Sequence, residues 1–202
     1  MAMRFEDNLF IRSVVIPDTV LKIETEDNPS NQNLIKSPFS GCKRLIEATV
    51  PVEVLKLIDG LGKIHILFPD SELQKLTFTG KEGIPDHCCL VKENLNTIVI
   101  KEGVTGIGNG AFSGCSKLVS IKLPSTIHFV ATHAFSLCSS LREIRFNSEL
   151  TTVGEAVFTG VNADIYFKNK KPGVFGNKTP AGWYHDWQPS KGFYGKVHWG
   201  AK

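Results

Sequence analysis

The stretch LVSIKLPSTIHFVATHAFSLCSS, residues 118–140, decides the fold of this chain. The same pattern precedes it as LNTIVIKEGVTGIGNGAFSGCSK, residues 95–117, and follows it as LREIRFNSELTTVGEAVFTGVNA, residues 141–163. The three segments adjoin one another, so the period is 23 residues (118 − 95 = 23). A period of this length indicates a solenoid, in which each repeat forms one coil and stacks on the next.

Apolar residues occupy matching positions in the three segments. The alternation I-x-L predicts a short strand with two side chains pointing inward and the middle one outward. The inward positions of the three strands are Ile98, Ile121 and Ile144, then Ile100, Leu123 and Phe146. Further along each repeat come Ile107, Val130 and Val153, then Phe112, Phe135 and Phe158, then Cys115, Cys138 and Val161. We therefore expect each matching set to form one column through the core.

Residues 118–140 resemble the repeat of the BspA-like leucine-rich repeat family, whose unit runs roughly LxxIxLPxxVxxIGxxAFxxCxx. The segment departs from that pattern at Ala131, whereas Gly108 and Gly154 hold the same position in the neighbouring repeats. The close match covers residues 95–163, about a third of the chain. The resemblance implies an α/β fold: a right-handed leucine-rich-repeat solenoid with a parallel sheet on its concave face and short turns or helical segments on its convex side.

Weaker copies of the pattern extend upstream. Residues 11–23, IRSVVIPDTVLKI, align with 118–130 and place apolar residues at Ile11, Val14, Ile16, Pro17, Val20 and Ile23. The polar residues 24–33, ETEDNPSNQN, indicate an exposed loop inserted into one coil. We expect further coils to begin at Leu45 and Leu73, and we predict a strand for KIHILF, residues 63–68.

The end of the chain has a different composition. DIYF, residues 164–167, predicts a last strand, and all three tryptophans follow it: Trp183, Trp187 and Trp199. This segment resembles the closing stretch of many bacterial members of the family at Ile165, Tyr166, Pro180, Gly182, Trp183, Trp187, Val197, Trp199 and Gly200. Because a solenoid exposes an apolar end, we interpret these aromatic residues as an aromatic C-terminal cap, with carbohydrate stacking by the tryptophans as the alternative.

These observations predict two parts of the chain. Residues 1–168 form the solenoid, with degenerate repeats over 1–94 and regular repeats over 95–163. Residues 169–202 form a Trp-rich capping segment.

Composition excludes several classes of protein. The chain is 42% hydrophobic and 21% charged, as globular domains are. Its net charge of +3 is too small to indicate a nucleic-acid partner, and no apolar run is long enough for membrane insertion. The five cysteines are an odd number, which favours reduced, buried thiols over a disulfide framework.

The N-terminus lacks the pattern of a secretion signal, so we predict a cytoplasmic location. The alternative is a cell-surface or secreted protein whose signal is missing, with Met1-Ala2-Met3 as a cloning start.

Three short motifs invite a chemical interpretation, and none supports one. His87, Cys88 and Cys89 lack a second pair of zinc ligands nearby, and Cys88 and Cys89 align with the core positions Ala111 and Phe112. GVTGIGNG, residues 103–110, lacks the Lys and Ser or Thr of a phosphate-binding loop. His185-Asp186 has no nucleophile motif of the G-x-S-x-G type to act with. We expect no catalytic residue, no metal site and no cofactor, and therefore no enzyme.

The predicted register places one outward residue at the middle of each strand. These residues are Val15, Thr49, His65, Thr77, Val99, Lys122, Arg145 and Tyr166. Thr97, Ser120, Glu143 and Asp164 flank them on one side, and Lys101, Asn147 and Lys168 on the other. The candidate binding residues are Val99, Ser120, Lys122, Glu143, Arg145 and Tyr166. A solvated sheet face that carries charges only for solubility is the alternative interpretation.

We predict a non-enzymatic protein–protein interaction module that presents this concave surface to an unidentified protein partner. The alternative is a glycan-binding or cell-surface adhesion module that uses the Trp-rich C-terminal segment.

Overall fold

A computed structural model of the 202-residue chain describes residues 5, 7–20, 26–27, 35–58, 61–69, 71–170 and 196–201. Short strands are the main regular elements among these residues, and two helices of about one turn lie between them. In chain order the elements are β1 (Ser13–Val15), β2 (Glu26–Asp27), β3 (Ile35–Lys36), β4 (Glu47–Pro51), α1 (Val52–Leu55), α2 (Lys63–Leu67), β5 (Lys75–Thr79), β6 (Gly83–Ile84), β7 (Thr97–Ile100), β8 (Gly106–Ile107), β9 (Ser120–Lys122), β10 (Phe129–Val130), β11 (Glu143–Arg145), β12 (Thr152–Val153), β13 (Asp164–Phe167) and β14 (Val197–Trp199).

The longer strands of successive coils lie parallel to one another. β1, β4, β5, β7 and β9 form one sheet in that order, and β11, β13 and β14 form another. Register follows the repeat, so that Val99 lies opposite Lys122 on the neighbouring strand. β9 and β11 contact each other, but they belong to separate hydrogen-bonded sheets. The side chain of Asn147 bridges this seam, because its Nδ2 donates to the Leu123 carbonyl at 2.6 Å.

A third parallel sheet lies on another side of four successive coils. It consists of the two-residue strands β6, β8, β10 and β12. The Phe129 ring lies directly over Gly106, where a Cβ atom would come within 2.1 Å of the ring. Any larger residue at position 106 would therefore displace the ring.

Matching residues of successive coils stack in columns, as the repeat predicts. Phe112, Phe135 and Phe158 are fully buried. Their ring centroids are 5.6 Å apart in the first pair and 5.9 Å apart in the second. Because these three coils contribute the same side chain at the same depth, the core is continuous from one to the next. The fold is an α/β repeat solenoid with parallel sheets.

Cys115 and Cys138 occupy equivalent positions of successive coils. All five cysteines are free and buried. The Cys115 thiol donates to the Cys89 carbonyl at 3.3 Å, and the Cys138 thiol donates to the Phe112 carbonyl at 3.2 Å. Burial raises the pKa of Cys115 to about 12 and also raises the pKa of Cys138. These thiols therefore remain protonated and act as small apolar side chains.

Two of the predicted strand assignments need correction. Residues 63–67 of the predicted strand KIHILF form helix α2 instead. Ile64, Leu67 and Phe68 are buried whereas His65 is exposed, and this spacing of buried positions fits a helical turn rather than a strand. His65 is therefore absent from the row of outward strand residues, and β4 pairs directly with β5.

The second correction concerns the two ends of the chain. DIYF does form β13, but it is not the last strand, because β14 pairs with it. In the polar insertion, Glu26–Asp27 pairs antiparallel with Ile35–Lys36, so its described part is a hairpin base rather than a loop.

Ile121 is only partly buried, whereas its counterparts Ile98 and Ile144 are fully enclosed.

Candidate binding surface

The outward middle residues of the parallel strands form one row. We call this row, together with the residues that flank it, the strand face. Hydrogen-bonded register places Val15, Thr49, Thr77, Val99 and Lys122 opposite one another in succession. Beyond the seam, Arg145 lies opposite Tyr166, and Tyr166 lies opposite His198. The sequence-based register was thus correct for every member except His65. His198 extends the row by one residue that the sequence did not indicate.

Arg145, Tyr166 and His198 form a three-layered stack. The Arg145 guanidinium carbon lies 3.8 Å from the centre of the Tyr166 ring. On the other strand, the His198 ring stacks on Tyr166 with centroids 4.2 Å apart and planes inclined by 7°. Parallel pairing of neighbouring strands creates this stack, because it sets equivalent side chains one strand spacing apart. Cation–π and aromatic contacts of this kind hold the three side chains in a fixed arrangement.

Carboxylates occupy the flank at the amino-terminal ends of the same strands. Glu143 and Asp164 lie opposite each other in the register. Arg145 Nη2 lies 3.2 Å from Glu143 Oε1. Asp164 accepts a hydrogen bond from the Lys196 backbone at 2.8 Å, and its other oxygen lies 3.7 Å from His198 Nε2. Both carboxylates are therefore engaged with groups of the protein itself.

The opposite flank is basic. Lys101 and Lys168 are exposed, as is Lys122 in the middle row. A surface depression of about 240 Å³ opens beside Lys168, lined by Arg145, Phe146, Asn147, Lys168 and Ala201. Charge on the strand face is thus divided, with carboxylates at the beginning of the strands and cations at their middle and end.

The remaining predicted candidates lie elsewhere. Cys88 and Cys89 are buried core residues, as their alignment predicted. Among the described residues, no cluster of three or more His, Cys, Asp or Glu side chains is placed to hold a metal ion. Trp199 stacks on Phe167 with centroids 5.1 Å apart, which supports the cap interpretation for that residue. Trp183, Trp187, His185 and Asp186 lie outside the described residues.

His198 is the member of the site that sequence reasoning missed. The alternation in VHW, residues 197–199, matches that in DIYF and carried the signal. Many residues separate these two segments, so the period of 23 could not be extended across them.

The described part of the chain contains no helix with the length and apolarity needed to cross a membrane.

Comparison with known proteins supports the architecture. Residues 82–170 match the family model of the BspA type leucine-rich repeat region, in six copies. A leucine-rich repeat protein of Eubacterium ventriosum has a similar structure, with 22% identity over 71% of this chain and a TM-score of 0.51. No curated protein matches the sequence.

Two further solved structures are similar. One is a leucine-rich repeat protein of Bacteroides ovatus, with 22% identity over 85% of this chain and a TM-score of 0.46. The other is a leucine-rich cell surface protein of Faecalibacterium prausnitzii, with 19% identity over 76% of this chain and a TM-score of 0.38. The chain spans 36% of the length of the Eubacterium structure and 48% of each of the other two. Residues 82–170 of this chain are thus similar to the BspA type leucine-rich repeat region.

Proposed function

We propose that the chain is a non-enzymatic module that binds a protein partner on its strand face. The observation that carries this proposal is the ordered stack of Arg145, Tyr166 and His198 on three successive strands. Arg and Tyr are the residue types that most often dominate the energy of protein interfaces. Here both are partly exposed and already held in one arrangement.

The rigidity of the solenoid supports the same proposal. Arg145 and Tyr166 stand on strands whose inward residues are buried, namely Ile144, Phe146, Ile165 and Phe167. Binding to such a surface orders few side chains that were mobile before, so less of the interaction energy is lost to entropy. The strand face therefore has its binding shape before a partner binds.

The contacts of the aromatic residues weigh against the glycan alternative in the described part of the chain. Both faces of Tyr166 are covered, by Arg145 and by His198. Trp199 packs on Phe167 and is partly buried. The glycan alternative therefore depends on Trp183 and Trp187.

Capture of partners from a native lysate tests the proposal. The immobilised protein is compared with a variant carrying Lys122→Glu and Arg145→Glu, and with a control carrying Lys43→Glu and Arg44→Glu. Both double variants change the net charge equally, and Lys43 and Arg44 are exposed at the turn before β4. We expect the first variant to lose a partner that the wild type and the control both retain. Equal capture by all three proteins would exclude the strand face as the binding surface.

A further inference from the structure

Most cations of the basic half of the strand face have no counter-ion among the described residues. The side chains of Lys101, Lys122 and Lys168 are exposed. None of them takes part in the ion pairs of the described residues, which join Lys56 to Glu82, Lys75 to Glu47 and Arg145 to Glu143, or in the contact of His198 with Asp164. Like charges gathered on one surface raise the local concentration of anionic ligands. This half of the face therefore attracts negatively charged ligands.

The acidic half leaves the charge of these three lysines unpaired among the described residues. Glu143 is engaged with Arg145, and Asp164 with the Lys196 backbone and His198. Both carboxylates lie at the beginning of their strands, whereas Lys101 and Lys168 follow the ends of β7 and β13. An anion at the ends of the strands is therefore nearer to the cations than to either carboxylate.

The depression beside Arg145 indicates where on the strand face an anionic group would bind. Two of its five lining residues, Arg145 and Lys168, are cationic, and none is acidic. A carboxylate, such as that of Asp or Glu, fits between these two cationic side chains.

The spacing of the cations indicates the shape of the ligand. Lys101, Lys122, Arg145 and Lys168 belong to four successive coils. Neighbouring strands lie about 4.8 Å apart, so the row spans about 14 Å, which an extended peptide covers with four or five residues. Stacking ligands are disfavoured because Tyr166 has no open ring face: Arg145 covers one side and His198 the other. Bases and sugar rings, which bind by stacking, lack a platform here.

We infer that the strand face binds an extended acidic segment of a protein partner. The segment lies across Lys101, Lys122, Arg145 and Lys168, with one carboxylate in the depression between Arg145 and Lys168. The inference rests on the proposed function and specifies the chemistry of the partner.

Selection of a displayed library of random peptides against the whole chain tests the inference. The selected peptides are then measured on wild type, on Lys122→Glu plus Lys168→Glu, and on the control Lys43→Glu plus Arg44→Glu. Lys122 and Lys168 are exposed, so we expect the variants to melt at the wild-type temperature. We expect the selected peptides to be rich in Asp and Glu, to bind the first variant about tenfold more weakly, and to bind the control unchanged.

The other outcomes separate the inference from the proposed function. Peptides that require the strand face but carry no excess of acidic residues would overturn the inference and leave the proposed function standing. Peptides that bind both variants as well as wild type would contradict both. The second measurement uses a fluorescent peptide of alternating Glu and Ala, compared with heparin and with a single-stranded oligonucleotide. Tighter binding of either polymer, with the same sensitivity to Lys122→Glu plus Lys168→Glu, would overturn the assignment to a peptide.

Discussion

Phe112 and Phe135 stand 23 positions apart in the chain, and their rings stack with centroids 5.6 Å apart in the core. Phe158 repeats the same contact with Phe135 at 5.9 Å. No single coil could enclose a phenylalanine, because each coil has only one layer of residues. The stack of coils supplies the missing walls, and so the stability of each coil depends on its neighbours.

Removal of a ring from the middle of this column has a predictable cost. Phe135→Ala leaves a cavity that the facing rings cannot fill, and we expect a loss of about 3–5 kcal/mol in the free energy of unfolding. Phe129→Ala is the matched control, since Phe129 belongs to the same coil but is 37% exposed. Urea unfolding of both variants measures the difference. Equal losses would mean that Phe135 does not lie in a closed column.

Strain in the backbone gives a second prediction. Val91 has a φ of 54°, in the left-handed region, and Gly114 occupies the equivalent position of the next coil with a φ of 75°. A left-handed conformation costs a non-glycine residue about 1–2 kcal/mol, and glycine costs about 0.5–1 kcal/mol through the entropy of the unfolded chain. We therefore expect Val91→Gly to stabilise the protein by up to about 1 kcal/mol.

Gly114→Val is the reverse substitution and should destabilise the protein. A Cβ at Gly114 would lie 3.2 Å from Cγ2 of Val91, so steric crowding adds to the strain. Thermal melts of the two variants give the comparison. A lower melting temperature for Val91→Gly, similar to that of Gly114→Val, would contradict the prediction.

The buried thiols predict how stability depends on pH. Burial raises the pKa of Cys115 from its ordinary value of 9.0 to about 12. It also raises the pKa of Cys138. In the unfolded chain these thiols ionise near pH 9, whereas in the folded chain they stay protonated. Their contribution to stability is therefore fully present below pH 9 and is lost as pH rises from about 9 towards 12.

Cys138→Val isolates this effect, because Val161 occupies the equivalent position of the next coil. We expect the variant to lose stability less steeply above pH 9, with a slope that differs by about 1.4 kcal/mol per pH unit for the one thiol removed. Urea unfolding between pH 8 and pH 10.5 measures the two slopes. Identical slopes would show that Cys138 ionises as readily in the folded state as in the unfolded state.

The regular repeats could be predicted from sequence because one physical constraint acts on every coil. Phe112, Phe135 and Phe158 fill equivalent spaces, so the same residue recurs at the same interval and the register can be read without coordinates. The middle row of the strand face followed from the same register, since alternation fixes which side chains point outward. Val99, Lys122, Arg145 and Tyr166 were placed correctly for this reason.

The degenerate half of the chain could not be predicted in the same way. Lys92 stands at the position held by Cys115 and Cys138 in the following coils, yet it is buried and donates to the Phe68 carbonyl at 3.1 Å. That carbonyl belongs to the residue that ends helix α2. Sequence reasoning assigned residues 63–68 to a strand. It therefore did not indicate that the Phe68 carbonyl would accept a hydrogen bond from the buried ammonium group of Lys92. His198 was missed because a long insertion precedes it.

Double-mutant cycles in the phenylalanine column test the central claim most directly, namely that equivalent side chains of successive coils stack in register. Phe112→Leu and Phe135→Leu should be coupled by at least about 0.5 kcal/mol, because the two rings are in contact. Phe112→Leu and Phe158→Leu should be additive to within about 0.5 kcal/mol, because Phe135 lies between them. Additivity of the first pair, or equal coupling of both pairs, would contradict a column built one coil at a time.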